Sequence, residues 1–156
     1  MMTIRGATEA DAESIGRIFS SSIRELAKDY YNALQIESWA GGFSIEQVLE
    51  RIRLGGTYVA EFDGVIAGFG TIVLSRGEVE MVYVSPDYAR KGVGAALVRF
   101  LEEIALDAGV KLLHLRGSLN AVPFYVHMGY VITEKTIHCN AQGIEFDCTI
   151  MEKHLV

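Results

Sequence analysis

Cysteine, proline and long apolar runs are all scarce in this chain. The two cysteines, Cys139 and Cys148, make no Cys-x-x-Cys pair and are too few for a secreted disulfide framework. Met1 to Ser14 carries Glu9, Asp11 and Glu13 and has no basic start or apolar leader, so the expected location is the cytoplasm, with both thiols reduced. The longest apolar run, Val65 to Leu74, is far shorter than the roughly 20 residues needed to span a bilayer. No membrane partner is expected. Positive charge is in deficit too: 14 Lys and Arg face 20 Asp and Glu, a net charge of −6. That balance removes the general basic field by which a domain holds nucleic acid. His114, His127, His138 and His154 fall on separate elements without ligand spacing, so no metal site is expected. No Gly-x-Ser-x-Gly elbow occurs, which leaves a serine hydrolase unsupported.

What remains is half hydrophobic and 156 residues long, enough to bury a full core as one domain over 1–156 without staples. Periodicity divides it into elements. After a short strand at Thr3 to Arg5, Thr8 and Asp11 resemble a capping box, and Ile15, Ile18, Phe19, Ile23 and Leu26 repeat at helical spacing. A second helix starts at Ser44, carries Ile45, Val48, Leu49 and Ile52, and stops at Gly55-Gly56. Tyr30 to Phe43 reads as an aromatic connector. Thr57–Phe62, Val65–Leu74 and Val79–Val84 read as an antiparallel meander whose first turn is Asp63-Gly64. A helix from Gly92 to Gly109 then leads into a strand at Lys111–Arg116, which predicts a parallel pairing with Val79–Val84 through a right-handed crossover. A short helix at Ala121–Met128 and strands at Tyr130–Cys139 and Ile144–Lys153 complete the chain. With residue 139 opposite 144, Cys148 faces Lys135 and the cysteines do not meet. The fold class is therefore α/β (α+β): a mixed, mostly antiparallel sheet of six to seven strands flanked by about four helices.

The most informative stretch runs from Val82 to Leu97, where a strand passes through Ser85-Pro86-Asp87-Tyr88-Ala89-Arg90-Lys91-Gly92-Val93-Gly94 into a helix. Gly92 and Gly94 permit close backbone approach, and a helix N-terminus offers free N–H groups and a positive dipole end. Arg90 and Lys91 add charge. The combination suits a pyrophosphate, although two glycines could equally do no more than begin a helix. A P-loop is excluded because no Gly-Lys-Ser/Thr is present. A dinucleotide fingerprint fails because Leu97 stands where its third glycine belongs.

These residues resemble the GNAT superfamily of acyl-CoA-dependent N-acyltransferases. The loop matches that family's Gln/Arg-x-x-Gly-x-Gly/Ala pattern at Gly92 and Gly94, with Ala89 in place of Gln/Arg. Ala121-Val122-Pro123-Phe124-Tyr125-Val126-His127-Met128-Gly129-Tyr130 resembles the family's Ala-x-x-Phe-Tyr-x-x-x-Gly-Phe segment, with Ser118 where an asparagine often stands and Asn120 nearby. The resemblance covers nearly the whole chain and implies a central parallel pair that splays apart to admit acetyl-CoA. It further implies CoA contacts from Val82, Tyr83, Val84, Ala89, Arg90, Lys91, Gly92, Val93, Gly94, Ala95 and Asn120. A backbone N–H near Val82 is the implied oxyanion donor, and Tyr125 the proton donor to the CoA sulfur.

An acceptor amine must lose a proton before it attacks, because a lysine-type amine has a reference pKa near 10.4 and an α-amine about 7.7–8.0. Glu78 and Glu80 are the candidate bases. Strict alternation puts both on one strand face with Val82 and Val84, opposite Val79, Met81 and Tyr83. Tyr30, Tyr31, Trp39 and Tyr58 are candidates for the acceptor site, and the acidic balance leans toward a cationic amine. The implied activity is acetyl transfer from acetyl-CoA to a primary amine of a small molecule or peptide, with no metal. A non-catalytic acyl-CoA sensor of the same fold is the alternative, and a homodimer is left open.

Overall fold

Seven strands form one sheet in the computed structural model, which describes residues 1–156. They are β1 (Met2–Gly6), β2 (Thr57–Phe62), β3 (Val65–Val73), β4 (Glu78–Val84), β5 (Leu112–Ser118), β6 (Val131–Cys139) and β7 (Glu145–His154). Their spatial order is β1-β2-β3-β4-β5-β7-β6. Every neighbouring pair is antiparallel except β4 with β5. Asp63 (φ 48°) and Gly64 (φ 85°) both take positive φ, the two-residue turn whose twist suits a hairpin between β2 and β3.

Helices cover both sides of the sheet. On one side α1 (Ala12–Leu26), α2 (Ala33–Ala40) and α3 (Ile45–Leu54) enclose a core with Ile15, Phe19, Val48, Val59 and Phe69. On the other, α4 (Val93–Asp107) and α5 (Val122–His127) pack Val98, Leu101 and Tyr125 against Ile72, Val79 and Leu115. The helical spacing expected for α1 is present, but Leu26 at its last position stays 42% exposed. The Ser44 and Gln47 capping box opens α3 as the sequence suggests.

Three features depart from the sequence reading, in the connector, in β4 and in the last hairpin, and each has a local cause. The connector holds a helix, α2, so the helices number five rather than about four. Asn32 and Gln35 cap it reciprocally, each side chain taking the other's backbone N–H at 2.8 Å, while Ile36 and Ala40 bury one face. Eight residues with aromatics scattered through them left too weak a periodic signal to register.

The central parallel pair splays as the resemblance implies, its pairing being much shorter than the strands. Only Glu78 with His114 and Val79 with Leu115 are in register; beyond them β4 and β5 part. The sheet is therefore open between Met81–Val84 and Arg116–Ser118.

Strict alternation fails in β4. Thr71 pairs with Met81 but Ile72 pairs with Val79, leaving Glu80 as an extra residue, a bulge. Val79 consequently packs with Val82 on the α4 side, while Met81 and Tyr83 pack with Phe19 on the α1 side. Glu80 turns toward α3, where Arg51 meets it at 2.8 Å.

In the last hairpin, Cys139 pairs with Glu145, and Cys148 faces Thr136 rather than Lys135. Asn140 sets this register: its backbone N–H donates to the Ile144 carbonyl at 3.0 Å, and its Oδ1 accepts from the N–H groups of Gln142 and Ile144. The two thiols remain apart, Cys139 exposed and Cys148 buried.

Candidate active site

The loop before α4 forms a concave run of amide groups. A 3-10 turn at Pro86–Tyr88 leads to Ala89 in extended conformation, then Arg90 at φ 63° and Gly92 at φ 79°. Two left-handed residues so close together turn the backbone N–H groups inward, the arrangement called a nest. No N–H from Arg90 to Ala95 has an acceptor within the protein, whereas Ala96 already bonds to the Gly92 carbonyl at 3.1 Å. A Cβ at Gly92 would meet nothing within 4 Å, so the cradle is open on its outer side. Gly94 has a different role, because a Cβ there would press on the Phe124 ring at 3.3 Å. Val93 is buried beneath the loop. The charges of Arg90 and Lys91 stand exposed beside it. A pyrophosphate fits this cradle in charge and in donors.

From this loop the gap between β4 and β5 leads into a cavity of about 270 Å³. It connects the two sides of the sheet. Val82 and Tyr125 line it from the α4–α5 side, and Phe19, Tyr31, Trp39, Tyr83 and Phe146 from the other. Tyr125 stacks edge-on with Phe124 and Tyr130, at 5.1 and 5.8 Å between centroids. Burial pushes its phenol well above the ordinary value, so it stays protonated at neutral pH. Tyr83 is raised for the same reason.

The candidates for proton acceptor separate. Glu78 pairs with Arg76 at 3.1 Å at the start of β4 and does not line the cavity. Glu80 does. Its Oε2 is held by Arg51 at 2.8 Å and Arg76 at 3.4 Å, while its Oε1 is buried with no partner. Asn120, between β5 and α5, likewise leaves a buried Oδ1 unpartnered. Buried polar atoms are nearly always satisfied, so both oxygens point to a group the bare chain lacks.

Of the aromatic candidates, Tyr31 and Trp39 reach the cavity wall, and Tyr30 and Tyr58 do not. Tyr30 is 52% exposed, and Tyr58 packs on Phe100 across the α4 side of the sheet. Tyr31 is a strut: its hydroxyl donates to the Asp147 carbonyl at 2.6 Å and accepts from the Leu119 N–H at 2.9 Å. Further ties fasten α2 over the hairpin, with Gln35 Nε2 donating to the Glu145 carbonyl and Asn140 Nδ2 to Ser38 Oγ, both at 2.8 Å. The connector that reads as a loop is thus the roof of the site.

Sequence reasoning missed Arg116, His138 and Cys148, which also line the cavity. Burial first, then the nearby Arg116, hold His138 below its ordinary value, so it is neutral at pH 7. Burial raises the Cys148 thiol. The available signal was the period of β5, where Leu113 and Leu115 face the core and Arg116 faces away. Read alone, that alternation describes a solvated face.

The profile of the acetyltransferase (GNAT) family matches residues 20–130. A GCN5-related N-acetyltransferase from Rhodopseudomonas palustris, described also as a class-II aminotransferase, has a TM-score of 0.93 at 30% identity, covering 98% of this chain and 95% of that one. The uncharacterized N-acetyltransferase YafP of Escherichia coli (strain K12) is 27% identical over 143 residues, 87% of this chain and 86% of its own. The PaiA N-acetyltransferase of Thermoplasma acidophilum, solved in complex with coenzyme A, shares the fold at TM-score 0.75 and 23% identity over 99% of each chain. Because the profile spans well over half of the sequence and a 30% identical relative matches it nearly end to end, the chain belongs to the acetyltransferase (GNAT) family and is an N-acyltransferase.

Proposed function

We propose that the protein transfers an acetyl group from acetyl-CoA to a primary amine of a small molecule or peptide, as one cytoplasmic domain. The observation that carries it is the bare run of N–H groups from Arg90 to Ala95, placed at the mouth of the gap between β4 and β5. The PaiA relative, which shares this fold, was solved with coenzyme A. No helix here is long and apolar enough to cross a membrane.

Acetyl-CoA, when bound, supplies an acetyl thioester. The nest at Arg90–Ala95 holds the pyrophosphate, with Arg90 and Lys91 in place of the side chain absent at Ala89. The separated strand edges hold the pantetheine arm through backbone hydrogen bonds, and Asn120 Oδ1 offers an acceptor near the turn into α5. A backbone N–H at Val82 stabilises the carbonyl oxygen as negative charge develops on it. Glu80, directly or through water, takes the proton that frees the amine lone pair. The nitrogen–carbon bond forms, the carbon–sulfur bond breaks, and Tyr125 gives its proton to the departing thiolate. The amide nitrogen loses its remaining extra proton and Glu80 the proton it took, both to solvent, which reprotonates Tyr125.

The test is acetyl-CoA binding by calorimetry, followed by thiol release over a panel of polyamines, amino acids, aminoglycosides and peptides. Binding with release on at least one amine supports acetyl transfer. Absence of acetyl-CoA binding overturns it, and binding without release on any amine favours a non-catalytic acyl-CoA sensor.

A further inference from the structure

Building on the acetyl transfer proposed above, we infer that the acceptor is a small amine that also carries a carboxylate, and that Arg116 is the residue that selects it. Most Lys and Arg side chains of this protein stand against a carboxylate, among them Arg5, Arg24, Arg51, Arg76 and Lys153. Of the remainder, Arg90 and Lys91 flank the nest, while Arg99, Lys111 and Lys135 are exposed and line none of the main cavities. Arg116 alone among the unpaired cations lines the cavity that reaches Tyr125.

Its position follows from the strand. Leu113 and Leu115 are buried against α4, so Arg116 projects to the opposite side, where it stays exposed to solvent while lining the cavity with Trp39 of α2 and His138 of the β6–β7 hairpin. There its charge bears on Tyr83, His138 and Cys148, none of them anionic: the hydroxyl and the thiol stay protonated and the imidazole stays neutral. The one carboxylate in the cavity wall, Glu80, is already held by Arg51 and Arg76 and forms no ion pair with Arg116. One wall of the cavity therefore presents an uncommitted guanidinium, and another presents a carboxylate oxygen with no partner. A compound with an ammonium and a carboxylate matches both.

A guanidinium takes a carboxylate through two parallel N–H bonds, and the Tyr31, Trp39 and Phe146 rings line the same cavity and offer apolar contact to the rest of the molecule. The cavity, about 270 Å³, accommodates an amino-acid-sized molecule. Polyamines and aminoglycosides offer nothing to Arg116 and bring like charge toward it. The overall acidity of the chain leans toward such polycations; the charge inside the site does the reverse.

The experiment measures thiol release from acetyl-CoA with free amino acids, β-alanine and 4-aminobutyrate, each paired with its amide, alongside spermidine. Expected is a preference for the free acid over its amide of about 10- to 100-fold in kcat/KM, the range for a lost charge-assisted pair. Arg116→Gln should raise KM for the preferred acid by a similar factor and erase the acid-over-amide preference, with acetyl-CoA affinity and Tm unchanged. Arg116→Lys should restore part of it. Equal turnover of amides or spermidine by the native protein, or a preference that survives Arg116→Gln, overturns the carboxylate proposal and leaves acetyl transfer intact. Failure to bind acetyl-CoA, or to release thiol with any amine in the wider panel, overturns both.

Discussion

Gly92 is the position where backbone geometry and ligand binding can be separated by one substitution. Its φ of 79° lies in the left-handed region, and a Cβ there would meet no atom within 4 Å. Gly92→Val thus creates no clash, and its whole effect comes through the backbone. If valine is held at that φ, the protein loses about 1–2 kcal/mol, because Cβ crowds the following carbonyl. For a domain of this size that is a fall of roughly 2–8 °C in Tm. If instead the loop relaxes to negative φ, stability is kept but the N–H groups around residue 92 swing out of the nest. Each charge-assisted bond to phosphate then lost removes about 1.5–3 kcal/mol, which is about 10- to 150-fold in Kd. A β-branched residue tolerates positive φ poorly, so relaxation is the expected outcome. Calorimetric titration of coenzyme A beside a thermal melt should show Kd for Gly92→Val weakened at least tenfold. Gly94→Ala is the control: its φ is ordinary and its Cβ would press on Phe124, so it should lower Tm with little change in Kd. If both Kd and Tm of Gly92→Val match those of the native protein, the nest does not hold the phosphates.

Tyr125→Phe should lower kcat by about 10²-fold with coenzyme A affinity nearly unchanged if, as proposed, the phenol gives its proton to sulfur; unaltered kcat in a steady-state thiol assay removes it from the mechanism. Glu80→Gln should reduce kcat/KM by about 10²-fold, while Glu78→Gln, outside the cavity, stays within a few-fold of native, and the reverse order would shift the base to Glu78. Tyr31→Phe leaves the Leu119 N–H and the Asp147 carbonyl without their bridge and should cost about 1–3 kcal/mol in denaturant unfolding. Asp11, bonded to Arg5 at 2.8 and 3.0 Å, is held below its ordinary value of 3.8 mainly by that guanidinium. A depressed carboxyl stabilises the fold above its unfolded pKa, and that contribution disappears as pH falls through the folded value. Melts between pH 6 and 3 should therefore show Asp11→Asn less stable than native at pH 6, with the gap closing at low pH.

Legibility along the chain followed the range of the interactions involved. The meander, the crossover helix and the final hairpin depend on neighbours a few residues apart, and their order, caps and turns are written in local pattern, as at Asp63-Gly64 and Ser44–Gln47. The nest is equally local, because the loop's conformation and the start of α4 supply its free N–H groups. Tyr125 stands out for a different reason, its place in a recognisable segment, and the structure adds that it lines the cavity. By contrast, α2 was hidden because its helicity comes from a side-chain cap at Asn32 and from docking on the distant residues Asn140 and Glu145. The β4 bulge was hidden because alternation along one strand does not record what the partner strand does, and Thr71 and Ile72 decide which way Glu80 turns.

The sequence by itself determined the family, and with it the class of chemistry, together with a layered mixed sheet in which a glycine loop opens a crossover helix. Only the tertiary structure decided which side chains share the cavity. The cavity is assembled from α1, α2, β4, β5, α5 and the β6–β7 hairpin, elements far apart in sequence and tied together by bonds such as that of Tyr31 to Asp147, 116 residues away. Arg116 stays exposed, and β5 alone does not tell that α2 and the hairpin line the same cavity, while Glu80 looks equivalent to Glu78 until the bulge turns one of them inward. Charge in a protein site depends on which groups are left without partners, and that is settled in three dimensions by packing rather than by any order of residues along the chain.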